Sequence, residues 1–130
     1  MKPKIFKKKI QVQESHLDEL RHVNNVVYLQ WVQDIAKDHW ATLTTNAIEL
    51  KYYWVVIDHF IQYKNPALLH DLISAITFVS SNKGVKSMRE VQFFKEGMLL
   101  AHAKTNWCLL DRKSGRPIRI PDELINLFQE

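Results

Sequence analysis

Tyr28-Leu29-Gln30-Trp31-Val32-Gln33-Asp34-Ile35-Ala36-Lys37-Asp38-His39 decides the architecture of this chain. Tyr28, Trp31, Val32, Ile35, Ala36 and His39 recur at helical spacing, while Gln30, Gln33, Asp34, Lys37 and Asp38 fill the opposite face. That pattern predicts one long amphipathic helix with a stripe that must be buried. Asn24 or Asn25 suits its start, because a short amide oxygen accepts a bond from a free backbone N–H. The helix reaches Trp40 or somewhat beyond.

Working outward, the period changes on both sides. Residues 4–13 predict a first strand, with Ile5, Phe6, Ile10 and Val12 set among lysines and glutamines. After the helix, Tyr52 to Tyr63 is rich in aromatic and β-branched residues on both faces, which predicts a strand covered on both sides. Asn65-Pro66 ends it, since proline removes a ladder donor. Leu72 to Ser80, Val85 to Phe94 and Met98 to Leu110 read as three further strands, separated by Asn82-Lys83-Gly84 and Lys95-Glu96-Gly97 turns. In the last, Leu99, Ala101, Ala103, Thr105, Trp107 and Leu109 are expected on one face, and His102, Lys104 and Asn106 on the other. A short helix is expected from Pro121, with Asp122 and Glu123 complementing its dipole. Tight turns favour an antiparallel sheet, and a lone helix must pack on it. One layered α+β domain spanning 1–130 is the expectation.

Composition narrows the function. At 130 residues, 46% hydrophobic and 25% charged, the chain is globular and has room for one core. No apolar run approaches the roughly 20 residues of a membrane span, and no apolar region follows the basic start to make a signal peptide. Cys108 is the single cysteine; its flanks Trp107 and Leu109 mark a buried strand thiol, and a cytoplasmic location is expected. Lys2, Lys4, Lys7, Lys8 and Lys9 contribute to a net charge of +4, read as a solvated basic edge strand rather than a nucleic-acid surface. Lys83, Lys86 and Arg89 are expected on a solvated turn, with the phosphates of a nucleotide as the competing reading. His59, His70 and His102 lack metal-ligand spacing, so no metal is expected. No Gly-x-Ser-x-Gly elbow, Walker loop or dinucleotide glycine pattern occurs, so no redox cofactor is expected.

Asp18-Glu19-Leu20-Arg21-His22-Val23-Asn24-Asn25-Val26-Val27-Tyr28 resembles the signature of the hot-dog acyl-thioester hydrolases. In that signature an Asp precedes by four residues the His of a Gly-His-Val-Asn-Asn-x-x-Tyr run, at the start of the central helix. Asp18, His22, Val23, Asn24, Asn25 and Tyr28 match. Val56-Ile57-Asp58-His59 and Arg116 to Pro121 are similar to later family segments, so the likeness covers most of the chain. Three positions depart: Arg21 replaces the usual Gly, Gln33 replaces a helix Glu found in many relatives, and Leu20 replaces an Asn functional in plant acyl-carrier-protein thioesterases.

The resemblance implies a hot-dog fold, an antiparallel five-stranded sheet wrapped around one long central helix, and hydrolysis of an acyl thioester on coenzyme A or an acyl carrier protein. Coenzyme A enters only as part of the substrate. Asp18 is implied as general base or nucleophile. Backbone amides from Val23 to Val26 would receive the thioester oxygen, because a helix N-terminus favours developing negative charge. His22 would orient water, bond the oxygen or move a proton, and Asn25 would fix the turn. Asp58, set beside Ile57 and Phe60, is a further catalytic candidate if burial makes it a base at neutral pH. Asn24, Val26, Tyr28 and Trp31 are the expected substrate contacts. A homodimer or dimer of dimers, paired at sheet edges, is implied. The competing reading is a hot-dog protein that holds its acyl ligand without cleaving it.

Overall fold

Five strands and three helices follow one another along residues 2–130, which the computed structural model describes; Met1 lies outside the described residues. β1 is Phe6–Gln11, α1 Asn25–Leu43, α2 Asn46–Lys51, β2 Tyr52–Tyr63, β3 Leu72–Lys83, β4 Lys86–Lys95, β5 Met98–Asp111 and α3 Asp122–Leu127. A single 3-10 turn, Glu14–His16, lies between β1 and α1. All strands pair antiparallel in the order β1-β3-β4-β5-β2. The hairpins β3-β4 and β4-β5 account for the middle of the sheet. β2 precedes them in sequence but joins the far side, through β5.

The helix stripe is the one the periodicity predicts. Tyr28, Trp31, Val32, Ile35, Ala36 and His39 are the buried residues of α1. Four of them, Tyr28, Trp31, Val32 and Ile35, meet Ile73, Ala75, Val91, Phe93, Leu100, Ala101 and Ala103 of the sheet in one apolar cluster. Burying each of Val32 and Ile35 contributes about 1.5–3 kcal/mol. Tyr28 and Trp31 pack edge-on to one another, and Tyr28 packs in the same way against Phe93. A second cluster, Leu109, Ile120 and Leu124 with Trp40 and Trp54 against it, holds the C-terminal segment to the other end of the sheet.

Several expectations change. α2 is an element that the sequence reading leaves out: Thr45 caps it by accepting from the Ile48 amide at 3.3 Å, and six residues are too few to display a helical period. β1 is shorter than 4–13, and β3 runs past a bulge near Ser80 to Lys83. β5 does not alternate throughout. A bulge opposite Phe93 and Phe94 turns Leu100 into the core and leaves Leu99 half-buried. β2 is not covered on both sides but is an edge strand, with Ile57, Phe60 and Tyr63 exposed. The other edge, β1, shows Lys7 and Lys9 to solvent, as lysine-guarded edges do. Arg89 is not on a solvated turn: it lies on the inner face of β4 and is 4% exposed. The strand alternation Ser87, Arg89, Val91, Phe93 carries it under α1. Cys108 is buried, its thiol directed at the Leu109 carbonyl at 3.7 Å.

Candidate active site

The loop before α1 is tied into a tight turn by its own acid. The Asp18 amide donates to the His22 carbonyl at 2.8 Å, and the Arg21 amide donates to the Asp18 carbonyl at 3.0 Å. Asp18 Oδ1 accepts from the amides of Leu20 at 2.9 Å and His22 at 3.1 Å. Asp18 Oδ2 has no hydrogen-bond partner among the described residues. Arg21 sits at φ 65°, the left-handed region where the family signature has glycine. Its guanidinium grips Glu14 at two points, with Nη2 to Oε2 at 3.0 Å. This hydrogen-bonded pair holds the Glu14 carboxyl below its ordinary range.

The amides at the helix start are fewer than the sequence implies. Asn24 is the cap, its side-chain oxygen accepting from Val26 N–H at 2.9 Å. The Val23 amide donates to Ala67 and the Asn24 amide to His16, both at 2.9 Å. Of the amides from Val23 to Val26, only that of Asn25 is left without a partner among the described residues. The expected cluster of free donors is therefore one N–H at the positive end of a nineteen-residue helix.

That amide stands beside an open cleft of about 570 Å³ bounded by Asp18, His22, Val23, Asn25 and Tyr28. Its other wall is Tyr63 to Ala67, the turn out of β2. The Tyr28 hydroxyl is buried with no hydrogen-bond partner. Burial, with lesser contributions from Tyr63 and Asp71, pushes its pKa up to about 12, so it is a neutral donor. Tyr63 donates from its hydroxyl to the Asn25 carbonyl at 3.4 Å, which ties β2 to the helix start.

Four expected site residues thus converge: Asp18, His22, Asn25 and Tyr28. The others lie elsewhere. Asn24 spends its side chain on the cap, Val26 is 68% exposed, and Trp31 is packed in the core beside His16, Tyr28 and Phe93. Asp58 lacks the burial expected of it; it is exposed at a bulge of β2 and accepts from Asn106 Nδ2 at 2.9 Å. The wall from Tyr63 to Ala67 escapes sequence reasoning. Asn65-Pro66 signals a strand end, and nothing in the sequence says that this end faces Asp18.

A five-stranded antiparallel sheet holding one long helix is the hot-dog fold. The family described as the acyl-ACP thioesterase N-terminal domain matches residues 3–128, and the chain belongs to it. It is 27% identical over 124 residues to the long-chain acyl-CoA thioesterase FadM of Escherichia coli, covering 88% of this chain and 90% of that protein. Its fold matches YbaW, a probable thioesterase from Escherichia coli, with a TM-score of 0.83 at 22% identity, covering 95% of this chain and 98% of that one. A thioesterase from Thermus thermophilus, complexed with coenzyme A and Zn, superposes with a TM-score of 0.83 at 21% identity, covering 94% of this chain and 90% of that one.

Proposed function

We propose that this chain hydrolyses an acyl-CoA to the free acid and coenzyme A at the cleft between the start of α1 and the end of β2. The observation that carries this reading is the convergence there of three unsatisfied groups: Asp18 Oδ2, the Asn25 amide and the Tyr28 hydroxyl. Family membership supports the hydrolase over the ligand-holding alternative. The name of the FadM relative and the coenzyme A bound to the Thermus protein support an acyl-CoA over a carrier-protein substrate.

In this reading the thioester carbonyl oxygen lies toward the Asn25 amide, where the helix dipole favours the oxyanion. Asp18 acts through Oδ2, because the Leu20 and His22 amides hold Oδ1 and fix the carboxylate plane. As general base it takes a proton from water while the water oxygen bonds to the carbonyl carbon. As nucleophile it forms an anhydride that water then opens. In the first route the carbon–sulfur bond breaks and the thiolate takes up the proton held by Asp18. In the second the thiolate leaves as the anhydride forms and takes up the proton released when water opens it. Tyr28 donates to the carbonyl or the attacking water, and His22 borders the same space.

β2 supports a homodimer. It is a twelve-residue open edge carrying exposed Ile57, Phe60 and Tyr63 and no lysine, a surface suited to pairing with a second copy. A dimer of dimers extends this pairing. A cytoplasmic location accords with the lone buried thiol; no helix among the described residues is long and apolar enough to cross a membrane.

The test is a panel of acyl-CoA and acyl-carrier thioesters with trapping of the released thiol, run beside light scattering. We expect release of coenzyme A, slowed by Asp18→Asn, from a dimeric or larger species. Absence of cleavage above background across the panel, or full activity in Asp18→Ala, overturns the assignment.

A further inference from the structure

At the opposite end of α1 a second cleft opens, about 620 Å³ in volume, between the last helical turns and the start of β2. Its walls are aromatic: Trp40, Tyr53, Trp54 and Phe128. Its polar lining is unusual, because its buried cation makes no ion pair. The Arg89 guanidinium donates from Nη1 to His39 Nδ1 at 2.8 Å and to Thr77 Oγ1 at 3.2 Å, both neutral acceptors. The carbon Cζ lies 5.8 Å from the centre of the Phe128 ring. Arg89 takes part in none of the ion pairs among the described residues. Glu49, also on the wall, is engaged by Trp40 Nε1 at 3.0 Å instead.

A buried charge without a counter-ion is costly, and an anion arriving from outside would offset that cost. Two further donors belong to residues that line the same space. The Trp107 indole N–H is buried without a hydrogen-bond partner, and the Ser87 hydroxyl is on a residue 3% exposed. His39 gives no second positive charge, since burial and the neighbouring Arg89 push its pKa down to about 4. The site therefore offers one buried charge, a planar fork and an indole donor inside an aromatic sleeve.

We infer that this cleft binds a monocarboxylate with an apolar or aromatic body, its head group on Arg89 and Trp107 Nε1. A guanidinium matches the two oxygens of a carboxylate, and the aromatic walls suit an apolar body. A phosphate dianion is disfavoured by the single buried charge, since Lys37 and Glu49 on the wall offset one another. Within one chain the cleft shares no lining residue with the one at Asp18.

Phenylacetate and octanoate are the probes, each paired with its neutral amide, followed by calorimetry and by the indole N–H resonances of the full chain. The expected result is saturable binding of both carboxylates, at least about tenfold tighter than the amides, as one charge-assisted contact of about 1.4 kcal/mol gives. The Trp107 indole resonance shifts with it. Arg89→Gln removes the preference for the anion. Should that variant fail to fold, Trp107→Phe keeps the charge and is expected to weaken binding several-fold, while Asp18→Asn leaves it unchanged. Equal affinity for acid and amide, no saturation, or loss of binding with Asp18 rather than Trp107 overturns the proposal.

Discussion

The two ends of α1 face clefts of opposite character. At the N-terminal end the unsatisfied groups are a carboxylate oxygen, one amide and a phenol, set in a polar turn that the chain ties with its own hydrogen bonds. At the C-terminal end the unsatisfied group is an indole N–H, set among aromatic rings beside a buried guanidinium that bonds neutral acceptors and no anion. In the proposed readings one end moves a proton and the other holds a bound anion. The helix dipole fits the first, since an oxyanion is welcome at its positive end. It does not account for the second. Charge at the far end comes from a strand, β4, whose alternation places Arg89 on the inner face of the sheet.

The sharpest break of this contrast is Asp18→Asn, which preserves the Oδ1 contacts to Leu20 and His22 and removes the base. It is expected to lower kcat at least about a hundredfold, measured as thiol release, with an unchanged melting temperature. Tyr28→Phe is next. Removing a hydroxyl that has no partner in the folded chain is expected to slow turnover about tenfold while stability stays level or rises, because the orphaned buried group is lost. The comparison fails if Tyr28→Phe destabilises the protein and leaves turnover intact.

The C-terminal end is read by acid. His39 has a folded pKa of about 4 against an ordinary 6.5. Between those values the unfolded chain binds a proton that the folded chain refuses, so stability falls as pH is lowered through that window. The loss approaches about 3 kcal/mol at the acid end. Denaturant midpoints taken from pH 7 down to pH 4 check the slope, and His39→Gln, which keeps an acceptor for Arg89 and does not titrate, is expected to flatten it. The smallest effect is at Arg21. Glycine there relieves a left-handed backbone but loses an exposed ion pair, so Arg21→Gly is expected to shift stability by no more than about 1 kcal/mol in urea melts.

The helix and the sheet were readable because their signals are periodic. Six positions of α1 repeat along one face, and β2 begins where the helical period gives way to a run of aromatic and β-branched residues. What periodicity does not carry was lost. Arg89 looks like one more cation after a Lys-Gly turn until β4 is seen to place every second residue inside. Asp58 looks buried because Ile57 and Phe60 flank it, yet an edge strand leaves all of them exposed. At the site, Asp18, His22, Asn25 and Tyr28 were legible through a local motif. The facing wall at Tyr63 to Ala67 was not, because it arrives by strand pairing far along the chain. The supply of free amides was overstated because Asn24, read as a cap, consumes one of them and the loop consumes two more.

β5 sits between β4 and β2, and it alone joins β2 to the rest of the sheet. On the ribosome, Tyr63 and Asp18 are both made well before Met98. At ordinary elongation rates of about 5–20 residues per second, the two walls wait on the order of seconds for the strand that docks them. A nascent chain stopped short of β5 carries the whole signature from Asp18 to Tyr28 with no sheet to complete the opposite wall. The last strand to be synthesised is thus the one that assembles the cleft.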